Sequence, residues 1–97
     1  MSVVVRHQPK GLTRDKYDEV SRRMQEAGDW PPAGLDMHVM FGDEGDLHVS
    51  EIWDSEDQFR SFAPRLMAVL DEVGVPYADP QVFPAHALEK RPEHARA

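Results

Sequence analysis

The chain has 97 residues, no cysteine, 11 Lys plus Arg against 18 Asp plus Glu, and a net charge of −7 with histidine neutral. That length fits one domain with a modest core, and the lack of cysteine excludes disulfides, thiolate metal sites and cysteine nucleophiles. An acidic balance with scattered basic residues argues against a nucleic-acid surface, and no apolar run reaches the ~18 residues of a membrane span.

The opening MSVVVRHQPKG lacks the long apolar region of a signal peptide, so a cytoplasmic protein is expected. Val3 to His7 reads as a first strand, stopped by Pro9 and Gly11. Within it Arg6 is taken as the side chain directed at a cavity. Thr13 is a natural N-cap, with Leu12 and Tyr17 at the positions of a hydrophobic staple. Tyr17, Val20, Met24 and Ala27 form one apolar helical stripe, and Gly28 suits its C-terminal end. Asp29 to Gly34 contains two prolines and is a rigid connection.

Leu35 to Phe41 is a second strand. Leu35, Met37, Val39 and Phe41 are expected under the helices, leaving Asp36, His38 and Met40 on the other face. Gly42 to Asp46 is a turn cluster, so an antiparallel hairpin follows. Leu47, Val49, Glu51 and Trp53 alternate with His48, Ser50 and Ile52, the period of two of a third strand. Ser55 then offers an N-cap oxygen, and Gln58 three residues later completes a capping box. Phe59, Phe62, Ala63, Leu66, Leu70 and Val73 continue at helical spacing. Pro64 should kink or split that helix, and Gly74 and Pro76 should end it. Gln81 to Leu88 reads as a last strand at an edge, because it contains Pro84. Residues 1–90 are thus one domain, and Arg91 to Ala97 are expected to be a frayed tail.

The order β-α-β-β-α-β favours a ferredoxin-like α+β sandwich: a four-stranded antiparallel sheet with two helices on one face. The other face, half apolar, should be covered by a second copy of the chain.

This order, together with the run EIWDSEDQF, resembles the dimeric α+β barrel superfamily, which includes cofactor-free antibiotic-biosynthesis monooxygenases. The likeness spans residues 2 to about 90 and extends to VVVRHQPKGLTRDKYDEV, GLDMH and PQVFPAH in small bacterial members. It implies a homodimer and a cavity into which Trp53 looks. The Asn those monooxygenases carry one pleat earlier falls at Val49 here.

The cavity is expected between the sheet and its partner, with Glu51 and Trp53 leaving the strand on that side. His38, His86 and Glu51 are the candidate catalytic residues, since an imidazole removes a proton from a phenol, enol or acidic carbon while a carboxylate orients it. Trp53, Arg6 and Met40 are the candidate substrate-binding residues. Trp53 would give a planar wall and one indole N–H, and Arg6 would stabilise an oxyanion.

No cofactor is expected, because the glycines are dispersed at turns and form no phosphate loop. His38, His86 and Glu51 have the composition of a two-His-one-carboxylate metal triad, yet no ligand spacing supports a metal. Haem ligation by one of these histidines is a further alternative. The partners expected are a second copy of the chain and a small organic ligand, without nucleic acid or membrane. The resulting functions are a cofactor-independent oxygenase or isomerase, a non-catalytic ligand-binding or accessory homodimer, and a structural dimer. Each residue also has a plain role open to it: the histidines as partly buried hydrogen-bonding groups, Glu51 in an ion pair, Trp53 in the core.

Overall fold

A computed structural model of the chain describes residues 1–91. Its elements run β1 (Val3–His7), α1 (Arg14–Glu26), β2 (Leu35–Asp43), β3 (Asp46–Trp53), α2 (Glu56–Val73) and β4 (Gln81–Pro84). The strands make one antiparallel sheet in the order β2-β3-β1-β4, the ferredoxin-like arrangement expected from the sequence. The expected tail, apart from Arg91, lies outside the described residues, as does His94. No helix among the described residues is long and apolar enough to cross a membrane.

Local chemistry sets the helix ends. Thr13 Oγ1 accepts from the backbone N–H of Lys16 at 3.1 Å, and Leu12 is buried beside that first turn. Ser55 Oγ accepts from the N–H of Gln58 at 3.2 Å and donates to its side-chain oxygen at 3.0 Å. Gly74 closes α2 with φ +83°, a left-handed conformation that lets Val75 N–H reach back to Leu70 C=O at 2.9 Å. Pro64 does not split α2, which runs unbroken across it. It sits on the solvent face, where water can satisfy the carbonyl that its missing N–H leaves free.

Helix faces meet the sheet through Trp53, Phe59, Phe62, Met24, Val5 and Val75, all fully buried. Trp53 lies 5.5 Å, ring centre to ring centre, from both Phe59 and Phe62. β3 keeps the expected period of two, with Leu47, Val49, Glu51 and Trp53 buried.

Three expectations about the sheet are corrected. First, Glu51 and Trp53 face the helices together with Leu47 and Val49, and not a partner. Secondly, the faces of β2 are exchanged: Met37, Val39 and Phe41 are exposed, while His38 and Met40 turn inward. A register irregularity between Leu35 and Met37 is the reason. Asp36 bulges out of the ladder, so Leu35 packs opposite Trp53 and His38 opposite Glu51 on one side of the sheet. Lys90 Nζ holds the Asp36 carboxylate at 2.6 Å. Thirdly, β4 ends at Pro84. One further bond follows it, Ala85 N–H to Ser2 C=O at 2.9 Å, and Pro84, opposite Val3, turns its nitrogen to the open edge, where no ladder bond is lost.

Candidate functional site

The exchange of faces brings an ionisable cluster under the helices. Glu51, on β3, is only 4 % exposed. Three N–H groups reach it. Trp53 Nε1–H donates to Oε1 at 3.1 Å, His7 Nε2 lies 3.1 Å from the same oxygen, and His38 Nδ1 lies 2.7 Å from Oε2. His38 Nε2 in turn lies 2.7 Å from the Tyr17 hydroxyl. Trp30, in the connection after α1, sets its ring nearly perpendicular to His38 at 5.0 Å and restricts the imidazole's rotation.

Each element has a reason to place its member there. β1 alternates, so Val3, Val5 and His7 turn inward together. The β2 bulge sets His38 directly beside Glu51. Tyr17 is on the first turn of α1, on the stripe that faces the sheet.

The hydrogen-bond network fixes protonation. Burial pushes the Glu51 carboxyl up, but hydrogen bonds from His38 and His7, attraction to His7 and the Trp53 indole outweigh it and hold the group at about 2. An ionised carboxylate only accepts. His38 must therefore carry its proton on Nδ1 and His7 on Nε2. His38 Nε2 is left as an acceptor, and the Tyr17 hydroxyl donates to it. Tyr17 is itself raised above the ordinary tyrosine range, by burial first and then by the charges of Glu51 and Asp18. It therefore rests as a neutral phenol. The chain of bonds runs Tyr17 O–H to His38 Nε2, and His38 Nδ1–H to Glu51.

That chain borders a cavity of about 80 Å³ between α1, α2 and the sheet. His7, Tyr17, His38 and Glu51 are its ionisable lining, and Leu12, Val20, Met24, Phe62, Leu66 and Leu70 supply most of its apolar wall. Every buried side-chain polar atom among the described residues has a partner.

Of the sequence candidates, His38 and Glu51 come together here. His86 is exposed beyond the end of β4, away from the cluster. Arg6 is exposed on the opposite face of the sheet, because its neighbours Val5 and His7 take the inner one. Met40 packs against the core and Trp53 is wholly buried in it, and neither lines the cavity. The indole of Trp53 reaches the site only through Glu51. The triad His38, His86 and Glu51 is not assembled, and among the described residues no group of three His, Cys, Asp or Glu side chains is arranged to hold a metal ion. Sequence reasoning missed His7, Tyr17 and Trp30. The signal for His7 was its place two residues after Val5. The signal for Tyr17 was its being the one ionisable side chain in an otherwise apolar stripe.

No family model and no curated protein matches the chain. Solved structures do. SnoaB from Streptomyces nogalater, a cofactor-independent oxygenase, is 16 % identical over 90 % of this chain and 94 % of its own, with a TM-score of 0.61. A candidate antibiotic biosynthesis monooxygenase from Deinococcus radiodurans is 10 % identical over 94 % of this chain and 98 % of its own, with a TM-score of 0.57. Foldit4, a de novo designed protein, is 12 % identical over 89 % of this chain and 100 % of its own, with a TM-score of 0.60. A designed protein among such neighbours illustrates that likeness at this level carries architecture and not activity. The chain has the ferredoxin-like α+β fold seen in structures of cofactor-independent and antibiotic-biosynthesis oxygenases.

Proposed function

We propose that the chain is a cofactor-independent proton-transfer enzyme, an oxygenase or isomerase, acting on a small planar ionisable organic compound. The observation that carries this reading is the unbroken hydrogen-bond chain from Tyr17 through His38 to Glu51 at the wall of an apolar cavity. A substrate donates its proton to the Tyr17 oxygen while the Tyr17 proton passes to His38 Nε2. The imidazolium keeps its Nδ1–H on Glu51, so the new charge is paired at once. The substrate anion then reacts with dioxygen, the course that likeness to SnoaB favours, or is reprotonated at another atom, which is isomerisation.

The test is oxygen uptake above the protein-free rate with hydroquinone, alongside deuterium exchange into weakly acidic carbon positions of small ketones. His38→Ala should lower either rate about 10²- to 10⁴-fold, the range expected for a positioned base. Equal rates in the wild type and His38→Ala would count against the relay. Ligand binding without turnover would instead favour the second function, an accessory ligand-binding protein.

The same reading takes the protein as a cytoplasmic homodimer. Met37, Val39, Phe41 and Phe83 are each 42–47 % exposed on the sheet face away from the helices. Four large apolar side chains on one face of a small domain support a second copy of the chain there. Sedimentation equilibrium should give twice the 11.1 kDa chain mass, and Val39→Glu should give the single chain. A wild-type monomer at micromolar concentration would contradict the dimer.

A further inference from the structure

Resting on the reading of the cavity as a ligand site, we infer that its occupant is electrically neutral, no larger than a single ring, and binds by donating a hydroxyl hydrogen to Tyr17.

Charge decides the first point. Among the described residues no Lys or Arg lines the cavity. Arg6 is on the other face of the sheet, and Arg65 lies outside on the Phe62 ring, paired with Asp29. A carboxylate or phosphate brought inside would find no fixed cation, since the ring N–H groups of His7 and His38 are committed to Glu51, and it would enter beside that buried negative charge. A cation does no better. Oε1 of Glu51 already accepts from His7 and Trp53 and Oε2 from His38, so an ammonium group would give up its water for at most one shared acceptor on Oε2.

Volume decides the second. A dry cavity of about 150 Å³ is known to hold benzene in a protein core. The present cavity, about 80 Å³, is roughly half that, so even one ring fits only as side chains give way, and a second fused ring would demand more displacement still.

The direction of the hydrogen bonds decides the third. The Tyr17 hydrogen points at His38 Nε2, because that nitrogen has no proton of its own while Nδ1 serves Glu51. Towards a ligand the Tyr17 oxygen therefore acts as an acceptor, and the matching ligand is a donor. This is a sharp discriminator. In a cavity with apolar walls and no acceptor, phenol binds worse than toluene of the same shape, since its hydroxyl is stripped of water for nothing. An acceptor inside reverses the order.

The experiment is a titration of the wild-type protein with phenol, toluene, benzoate, benzylamine and 1-naphthol, followed by ¹H–¹⁵N chemical shifts of residues around the cavity. Phenol should bind at least tenfold more tightly than toluene. Benzoate, benzylamine and 1-naphthol should each be at least tenfold weaker than phenol. Tyr17→Phe keeps the ring and should bring toluene level with or above phenol. Toluene equal to phenol in the wild type, benzoate or benzylamine as tight as phenol, or no binding of phenol would each overturn the inference. Binding and turnover separate the two ideas: phenol selectivity without catalysis removes the enzyme and leaves the ligand class standing, whereas proton-transfer activity with benzoate-like affinity does the reverse.

Discussion

Glu51→Gln should reduce any proton-transfer activity about 10²- to 10⁴-fold and remove a defined part of the stability of the fold. The catalytic loss follows from charge. With glutamine in place, an imidazolium at His38 has no anion beside it, and the amide offers a hydrogen where His38 Nδ1 now donates. The stability loss follows from the depressed carboxyl. Glu51 titrates at about 2 in the fold against about 4.5 when unfolded, so its stabilisation is present above 4.5 and is lost as pH falls through 2. A shift of that size corresponds to roughly 3 kcal/mol. Urea unfolding at pH 7 should show a loss of that order in Glu51→Gln. The steep fall in wild-type stability between pH 4.5 and 2 should flatten in the variant. A variant as stable as the wild type at pH 7 would mean that the three N–H donors do not depend on the charge.

Trp53→Ala should be the most destabilising single truncation, by about 3–5 kcal/mol. The side chain is wholly buried and fills the space between Phe59 and Phe62, so alanine leaves a cavity that those two rings cannot both close. In a domain whose total stability is of the order of 5–15 kcal/mol, much of the population would unfold. Trp53→Phe separates packing from hydrogen bonding. It keeps most of the volume and deletes the indole N–H, so the cost should drop to about 1–2 kcal/mol. Activity should still suffer, because Glu51 Oε1 then has His7 alone to hold it. Denaturation midpoints of both variants, measured against the wild type, check the order. Equal losses in Trp53→Phe and Trp53→Ala would show that the indole hydrogen bond outweighs the packing.

Much of this architecture is legible in the residues. The period of two from Leu47 to Trp53, the Ser55 cap and the apolar stripes of both helices determine element order and therefore the fold. The face of β2 is not legible, because alternation assigns the wholly apolar set Leu35, Met37, Val39 and Phe41 to the core, whereas past the bulge at Asp36 the last three of these turn away from the helices. The inward turn of Glu51 is hidden for a related reason. A carboxylate on an apolar strand face reads as an outward or partner-facing group until its donors are known. Two of its three donors sit on other strands, His7 lying 44 residues away and His38 lying 13. His7 is the instructive miss. The spacing Val3, Val5, His7 carries its orientation, but a charged Arg6 is the more conspicuous side chain.

The central claim is the direction of the relay: an ionised Glu51, His38 protonated on Nδ1, and Tyr17 donating to His38 Nε2. Imidazole ¹⁵N spectra of the uniformly labelled protein at a pH where both histidines are neutral test it most directly. The account predicts that His38 is the Nδ1–H tautomer and His7 the Nε2–H tautomer, each with its protonated nitrogen exchanging slowly. His38 found with its proton on Nε2 would reverse the hydrogen bond to Tyr17, leave Glu51 Oε2 without its donor, and contradict the relay.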